Sequence, residues 1–246
     1  MTAPGDGDGP RVGLLVTCLV DLFRPEVGFA ALDLLEARGC TMVVPAAQTC
    51  CGQPALNAGD RPSAAALARA VIDAFDGLER VVVPAASCAG TLVNHYQGLL
   101  ADDPAYADRA RDLAARTVEL TAFLDEIGGL ASPTHWPATA TYHDSCSSLR
   151  ETGGPGAPRR LLAAVEGLDL AEVADSAECC GFGVAFAVKF PELSTRLADD
   201  KVDAIAATGA ELVLSADLGC LLNIAGRLRR RGIPIAARHV AEVLAG

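Results

Sequence analysis

Two adjacent cysteines followed by a glycine occur twice in this sequence, as Cys50-Cys51-Gly52 and as Cys179-Cys180-Gly181. A free cysteine usually behaves as a small buried hydrophobic residue. A vicinal pair followed by glycine is different, because adjacent side chains normally diverge and glycine tolerates the positive φ of a turn that brings them together. We therefore interpret the two stretches as parts of metal-cofactor sites, in which Gly52 and Gly181 shape the binding turn.

The other cysteines place these two stretches in an internal repeat. An offset of 128 residues relates Cys18 to Cys146, an offset of 129 relates the vicinal pairs, and an offset of 132 relates Cys88 to Cys220. Recurrence at one period indicates repeated structural units. Cys40 alone has no counterpart and is expected to be an inert buried residue. The expected metal ligands are Cys18, Cys50, Cys51, Cys88, Cys146, Cys179, Cys180 and Cys220.

Short apolar segments precede these cysteines and alternate with segments of helical spacing. This alternation predicts an α/β fold with two pseudo-symmetric halves, each a small parallel-sheet unit. Ligands of open α/β sheets bind beyond the carboxyl ends of the strands, so the four thiols of each half should converge there. Strands are predicted at 11–17, 41–44, 80–83, 138–143, 168–173 and 211–215, with an edge strand at 233–236 and a long helix at 104–127 linking the halves.

Composition limits the domain organisation and the classes of partner. Residues 1–10 are expected to be a disordered leader without signal-peptide features, followed by cysteine-rich domains at 11–128 and 129–246. The formal net charge of −11 argues against nucleic-acid binding, and the lack of an 18-residue apolar run argues against a transmembrane segment. Nine cysteines without an export signal favour metal or redox chemistry in the cytoplasm.

Three kinds of cysteine chemistry can be compared with this spacing. Four thiols per half match the ligand number of a 4Fe–4S cluster. Structural zinc sites usually combine two short Cys-x-x-Cys pairs, whereas each half here has one vicinal pair and two distant single cysteines. A vicinal disulfide needs a strained ring and an oxidising compartment. The spacing favours one iron–sulfur cluster per half, with a zinc-stabilised scaffold or a thiol–disulfide redox protein as alternatives.

Three charged or titratable residues near the second vicinal pair are weaker candidates for catalysis. Arg150 and Lys189 could hold a small carboxylate, and His143 could accept its proton. In the alternative interpretation His143 hydrogen-bonds locally while Arg150 and Lys189 are solvated. His143 and His95 are better candidates for hydrogen-bonding cluster sulfur and tuning its potential.

Several longer stretches carry a family resemblance. The most specific runs from Cys179-Cys180-Gly181-Phe182-Gly183 through Val188-Lys189-Phe190-Pro191-Glu192 to Asp200-Lys201-Val202, and others are Tyr142-His143-Asp144-Ser145-Cys146, Ser87-Cys88-Ala89-Gly90 and His95-Tyr96. They resemble the cysteine-rich CCG domain that occurs twice in heterodisulfide reductase and in the glycolate oxidase iron–sulfur protein. The chain looks most similar to the lactate utilization protein A family, over nearly its whole length beyond the leader.

This resemblance implies an iron–sulfur electron-transfer subunit of a system that oxidises L-lactate, a small 2-hydroxy acid, to pyruvate. The implied partners are a ferredoxin-like iron–sulfur protein and a third small protein. In those families each half ends in Cys-x-x-Cys, but this chain has Thr91 and Asn223 in place of the last cysteine. Four ligands per half, rather than five, are therefore expected. Val184 also stands where the family more often has glycine.

Overall fold

The computed structural model describes residues 9–174 and 177–246 and contains two four-stranded parallel sheets. The first sheet has β1 (Arg11–Leu14), β2 (Thr41–Val43), β3 (Arg80–Val83) and β4 (Thr117–Glu119), and the second has β5 (Thr134–Tyr142), β6 (Val165–Leu170), β7 (Leu212–Ser215) and β8 (Ala236–His239). The orders β2-β1-β3-β4 and β6-β5-β7-β8 are equivalent. This arrangement confirms the predicted fold class. Most of the predicted leader lies outside the described residues.

Helices connect consecutive strands, as parallel pairing requires. Those of the first half are α1 (Cys18–Phe23), α2 (Pro25–Ala37), α3 (Gln53–Ala58), α4 (Arg61–Ala74), α5 (Ala86–Gly90), α6 (Tyr96–Leu99), α7 (Ala107–Arg116) and α8 (Leu120–Glu126), with a π-helical turn at Thr91–His95 between α5 and α6. Those of the second half are α9 (Cys146–Glu151), α10 (Gly156–Leu162), α11 (Ala185–Lys189), α12 (Pro191–Ala207), α13 (Leu218–Arg231) and α14 (Val240–Ala245). None of the helices in the described residues is long and apolar enough to cross a bilayer.

The single long helix predicted at 104–127 is wrong. Thr117 and Glu119 flank Val118 in the edge strand β4, which pairs with Val81–Val83 of β3 and separates α7 from α8. A strand of three residues is too short to show the alternation of polar and apolar residues that marks a β-strand. In the sequence its glutamate resembles a residue on the polar face of a helix. The predicted edge strand at 233–236 begins later, at Ala236, because Pro234 cannot donate to a strand ladder.

The two halves share a hydrophobic core. Val27 and Leu35 of α2 belong to the same buried cluster as Val240 and Leu244 of α14. At the edge of this contact the guanidinium of Arg24 donates to both carboxylate oxygens of Glu242, each at 2.8 Å. Burying this apolar face holds the two sheets in a fixed relation, which matters because their carboxyl edges meet at the site described next.

Candidate metal centre

All eight predicted ligands lie beyond the carboxyl end of a strand. Cys18 and Cys146 are the first residues of α1 and α9, and the side chains of Thr17 and Ser145 cap these helices by accepting a hydrogen bond from the third helical N–H. The vicinal pairs follow β2 and β6, and the remaining cysteines lie in the first turns of α5 and α13. The first thiol group is Cys18, Cys50, Cys51 and Cys88, and the second thiol group is Cys146, Cys179, Cys180 and Cys220.

The first thiol group is drawn closely together. The Sγ atoms of Cys18 and Cys50 are 3.8 Å apart, and those of Cys51 and Cys88 are 3.1 Å apart. The Cys18 thiol and the Cys51 thiol both hydrogen-bond to the sulfur of Cys50, and with the N–H of Gly52 they hold the pKa of Cys50 well below its usual value. These hydrogen bonds favour the thiolate form of Cys50, the form that binds metals.

A nitrogen donor lies close to the second thiol group. A ring nitrogen of His143 and the Sγ atoms of Cys180 and Cys220 all lie within 4.8 Å of one another. The N–H of Gly181 donates to Cys179 Sγ at 3.3 Å, as Gly52 does to Cys50. The pKa of Cys179 is raised, first by its hydrogen bond with Cys180 and then by burial. A cation would favour ionisation of this group, since thiol ligands lose their protons on binding a metal.

The glycines after the vicinal pairs adopt the expected left-handed conformation. Gly52 has φ +82° and Gly181 has φ +81°, a region that side-chain-bearing residues rarely adopt. They also pack against helices: a Cβ on Gly181 would lie 2.4 Å from the carbonyl oxygen of Ser194, and a Cβ on Gly52 would lie 3.3 Å from that of Ala64. Each turn is thus fixed both by backbone conformation and by close contact with the following long helix.

Hydrogen bonds from other side chains hold the two vicinal turns in place. The amide of Asn223 donates to the carbonyl oxygen of Cys180 at 2.8 Å. In the first half the hydroxyl of the buried Tyr96 donates to the carbonyl oxygen of Cys51, also at 2.8 Å. Thr91 instead donates to the carbonyl oxygen of Ser87 in its own helix. Asn223 thus occupies the cysteine position and supports the vicinal turn from the side.

Both thiol groups border one cavity of about 190 Å³ between the two sheets. The cysteines lining it are Cys18, Cys51, Cys88, Cys146, Cys179, Cys180 and Cys220. The halves are also linked here by a direct contact, since the hydroxyl and the N–H of Ser87 donate to Oδ1 of Asp217 at 2.5 and 3.3 Å. The repeat predicts two separate four-thiol groups, and the structure adds that they open on a common space.

The surroundings of the two groups differ sharply in polarity. Buried polar or charged residues near the thiols of the second half include His143, Lys201 and Asp217. At the positions related by the offsets of 128, 129 and 132, the first half has the apolar residues Leu15, Ile72 and Ala85. The charge of Lys201 acts on Cys179 and His143, and that of Asp217 acts on Cys146 and Cys220. The sequence analysis missed Asp217, although comparison of the repeats residue by residue shows the difference.

The weaker catalytic candidates have different positions. His143 is buried next to two cysteines, and burial followed by the charge of Lys201 lowers its pKa to about 3, so its ring is neutral. Arg150 and Lys189 are exposed, and neither is among the described residues that line the cavity. The exposed His95 contacts Glu151 at 3.3 Å rather than a thiol.

The donor set fits a metal that prefers thiolate ligands. A tetrahedral ion with metal–sulfur bonds of about 2.3 Å separates its sulfurs by about 3.8 Å. The distance of 3.8 Å between Cys18 and Cys50 matches this value, whereas the thiols of Cys51 and Cys88, at 3.1 Å, must move apart to share any metal centre. Adjacent cavity space allows that movement. In the second half both ring nitrogens of His143 are buried and have no hydrogen-bond partner among the described residues, as expected of a side chain positioned for a metal site.

A buried carboxyl group at the end of β4 gives the fold a pH dependence. Glu119 caps α8 and is fully buried, and burial raises its pKa from 4.5 to about 7 despite hydrogen bonds from Thr121 and Ala122. The unfolded chain therefore loses this proton near pH 4.5, while the folded chain keeps it until about pH 7. The contribution to stability is complete below pH 4.5 and is lost as the pH rises to about 7.

We expect Glu119→Gln to remove this loss of stability. The shift corresponds to about 3 kcal/mol, so the variant should gain on the wild type by up to that amount between pH 4.5 and pH 7. Denaturant unfolding at a series of pH values measures the difference. Glu36→Gln, at an exposed position on α2, is the matched control and should leave the profile unchanged. A Glu119→Gln profile parallel to that of the wild type would contradict the buried, protonated carboxyl.

Comparison with known proteins supports the repeat and the fold. The family model described as "Cysteine-rich domain" (CCG) matches residues 12–93 and again residues 140–225. A solved structure, a hypothetical protein from Helicobacter pylori, superposes with a TM-score of 0.60 at 11% sequence identity. That match covers 95% of this chain but 48% of the other, so this chain corresponds to about half of that protein's length. The likeness concerns the fold alone.

Curated relatives match over almost the full chain. Lactate utilization protein A of Macrococcus caseolyticus is 43% identical over 235 residues, covering 95% of this chain and 96% of the relative. The protein of the same name from Shouchella clausii is 44% identical over 240 residues, covering 95% of this chain and 98% of the relative. Together with the two matched cysteine-rich domains and their thiol groups, these identities show that the chain belongs to the lactate utilization protein A family.

Proposed function

We propose that this protein is an iron–sulfur electron-transfer subunit of a system that oxidises L-lactate to pyruvate. The observation that carries the proposal is that seven of the eight thiols in the two groups line one cavity. Thiolates of this number and arrangement are the ligands of iron–sulfur clusters, which exchange single electrons. Two such sites on a common space would allow an electron to enter at one thiol group and leave at the other.

The residues of this chain have distinct roles in that proposal. The first thiol group would hold one cluster, and the second thiol group would hold the other. The N–H groups of Gly52 and Gly181, which reach the sulfurs of Cys50 and Cys179 at 3.5 and 3.3 Å, stabilise negative charge on those sulfurs. The link between Ser87 and Asp217 fixes the distance between the halves. The domain boundary near 128 and 129 divides the chain into these two cluster-binding units.

The name of the relatives, lactate utilization protein A, supports the choice of lactate as the substrate. Oxidation of L-lactate to pyruvate releases two electrons and two protons, and iron–sulfur clusters can carry the electrons one at a time. We assign this chain the role of such a carrier in the cytoplasm. A ferredoxin-like iron–sulfur protein and a third small protein would complete the complex and pass the electrons toward the respiratory chain.

Deletion and complementation test this function. We expect a host that lacks the gene to lose growth on L-lactate and to keep growth on pyruvate, because only the first substrate needs the oxidation step. A plasmid-borne wild-type or Cys40→Ala gene should restore growth on lactate, whereas Cys180→Ala should fail. Unimpaired growth of the deletion strain on lactate would refute the assigned pathway.

Zinc binding remains a second candidate because of one distance. The sulfurs of Cys18 and Cys50 are 3.8 Å apart, which equals the sulfur–sulfur distance in a tetrahedral zinc–thiolate site with zinc–sulfur bonds of the usual length. A zinc protein of this fold would be a scaffold without a redox role. It would be colourless, and its stability rather than any electron transfer would depend on the metal.

A further inference from the structure

A histidine without a hydrogen-bond partner lies against the second thiol group. His143 is only 2% exposed, and neither of its ring nitrogens has a partner in the described residues. Leaving such a group unsatisfied is destabilising, so buried histidines normally pair with a donor, an acceptor or a metal. His239, the other histidine buried within this core, makes two such hydrogen bonds, to Ala216 and from Ala241. The unsatisfied ring of His143 therefore indicates a bound group, such as a metal, at this position.

The position of the ring next to two thiols indicates that this bound group is a metal. A ring nitrogen of His143 lies within 4.8 Å of the sulfurs of both Cys180 and Cys220. Bonds from a metal to imidazole nitrogen and thiolate sulfur are about 2.0–2.3 Å long, so these three donors reach a common centre after small side-chain rotations.

The repeat shows that this donor is specific to the second half. His143 follows β5 and its N–H bonds to the carbonyl oxygen of Leu214, just as Leu15 follows β1 and its N–H bonds to that of Val82. The two residues thus occupy equivalent backbone positions, yet a leucine offers no donor. Keeping a buried polar ring where the first half has a leucine has a cost that metal binding would offset.

We propose that His143 is a metal ligand of the second site, which then has an imidazole nitrogen in addition to thiolates and differs from the all-thiolate first site. The inference rests on the proposed function for the identity of the metal as an iron–sulfur cluster. A neutral imidazole adds no negative charge, so exchanging it for a thiolate should lower the reduction potential of this site.

Pulsed electron paramagnetic resonance on the full-length protein, purified anaerobically and partly reduced, tests this proposal. The probe is a directly bound nitrogen, which gives a strong hyperfine coupling that changes when the histidines carry ¹⁵N. We expect this coupling in the wild type and in His135→Gln, the control at an exposed histidine. We expect its loss in His143→Cys, together with a lower reduction potential of one cluster and an unchanged iron content.

The outcomes separate the inference from the function beneath it. Absence of strongly coupled nitrogen in an iron-loaded wild type overturns the ligand role, and this result does not depend on any variant folding. Retention of the wild-type potential by His143→Gln, which can still donate a hydrogen bond to sulfur, also overturns it. Isolation with zinc and without iron refutes the proposed function, but a nitrogen ligand in the zinc X-ray absorption spectrum that is lost in His143→Cys would still support His143.

Discussion

Replacing Cys180 by alanine should remove the cluster of the second half and leave that of the first, so the iron content should fall by about half. Cys180 is 4% exposed and lies beside Cys220 and His143 at the centre of the second thiol group. A cluster needs its thiolate ligands, and an alanine offers none. Cys51→Ala should have the reciprocal effect, since Cys51 is 3.1 Å from Cys88 in the first thiol group. Iron and acid-labile sulfide, measured per protein after anaerobic purification, report the loss.

Cys40 provides the matched control for this experiment. Like Cys180 it is buried, but it packs in the core shared by α2 and α14, whereas Cys51 and Cys180 belong to other buried clusters. Cys40→Ala removes a thiol of similar burial from the same chain and should leave the iron content unchanged. Equal loss of iron from Cys40→Ala and Cys180→Ala would contradict the assignment of ligands by the repeat.

Among substitutions that add one methyl group near the site, we expect Gly181→Ala to reduce the stability of the protein most. The new Cβ would lie 2.4 Å from the carbonyl oxygen of Ser194, a contact that requires backbone movement, and φ is +81°. The conformational cost of about 1–2 kcal/mol and the overpacking cost of about 1–3 kcal/mol together give about 2–5 kcal/mol. Because the same turn orients Cys179 and Cys180, the variant should also lose iron from the second half. Denaturant unfolding and iron analysis measure the two effects.

Two other glycines separate the cost of conformation from the cost of contact. Gly209 has φ +72° and open space around its Cβ position, so Gly209→Ala should lose only about 1–2 kcal/mol and no iron. Gly52, with its Cβ position 3.3 Å from the carbonyl oxygen of Ala64, should fall between them. If Gly181→Ala is no less stable than Gly209→Ala and keeps its iron, the close packing of the vicinal turn has no structural role.

The sequence predicts the general fold because the signals that determine it are local. Strand β3 at Arg80–Val83 has the predicted bounds, since its three successive valines are fully buried. The cysteines then mark the carboxyl ends of the strands in both halves. Strand β4 escapes prediction because it has three residues, one of them the buried Glu119, and is stabilised only by pairing with β3. Tertiary context, rather than local propensity, forms that edge.

The candidate site is predictable in its ligands but not in its surroundings. The offsets of the repeat relate Cys18 to Cys146 without any knowledge of three-dimensional structure. The common cavity depends on how the two halves pack, which periodicity within each half cannot reveal. The hydrogen bonds that Tyr96 and Asn223 make to the vicinal turns likewise connect residues 45 and 43 positions apart. Such long-range contacts have no signature in a single sequence.

The metal content of the purified protein tests the central claim most directly. Anaerobic purification, followed by iron, sulfide and zinc analysis and a visible spectrum, should give a brown protein with iron and sulfide at two clusters per chain and little zinc. That result would agree with two groups of four thiols on one cavity. A colourless protein with stoichiometric zinc and no iron or sulfide would contradict the iron–sulfur assignment and leave the metal as a structural element.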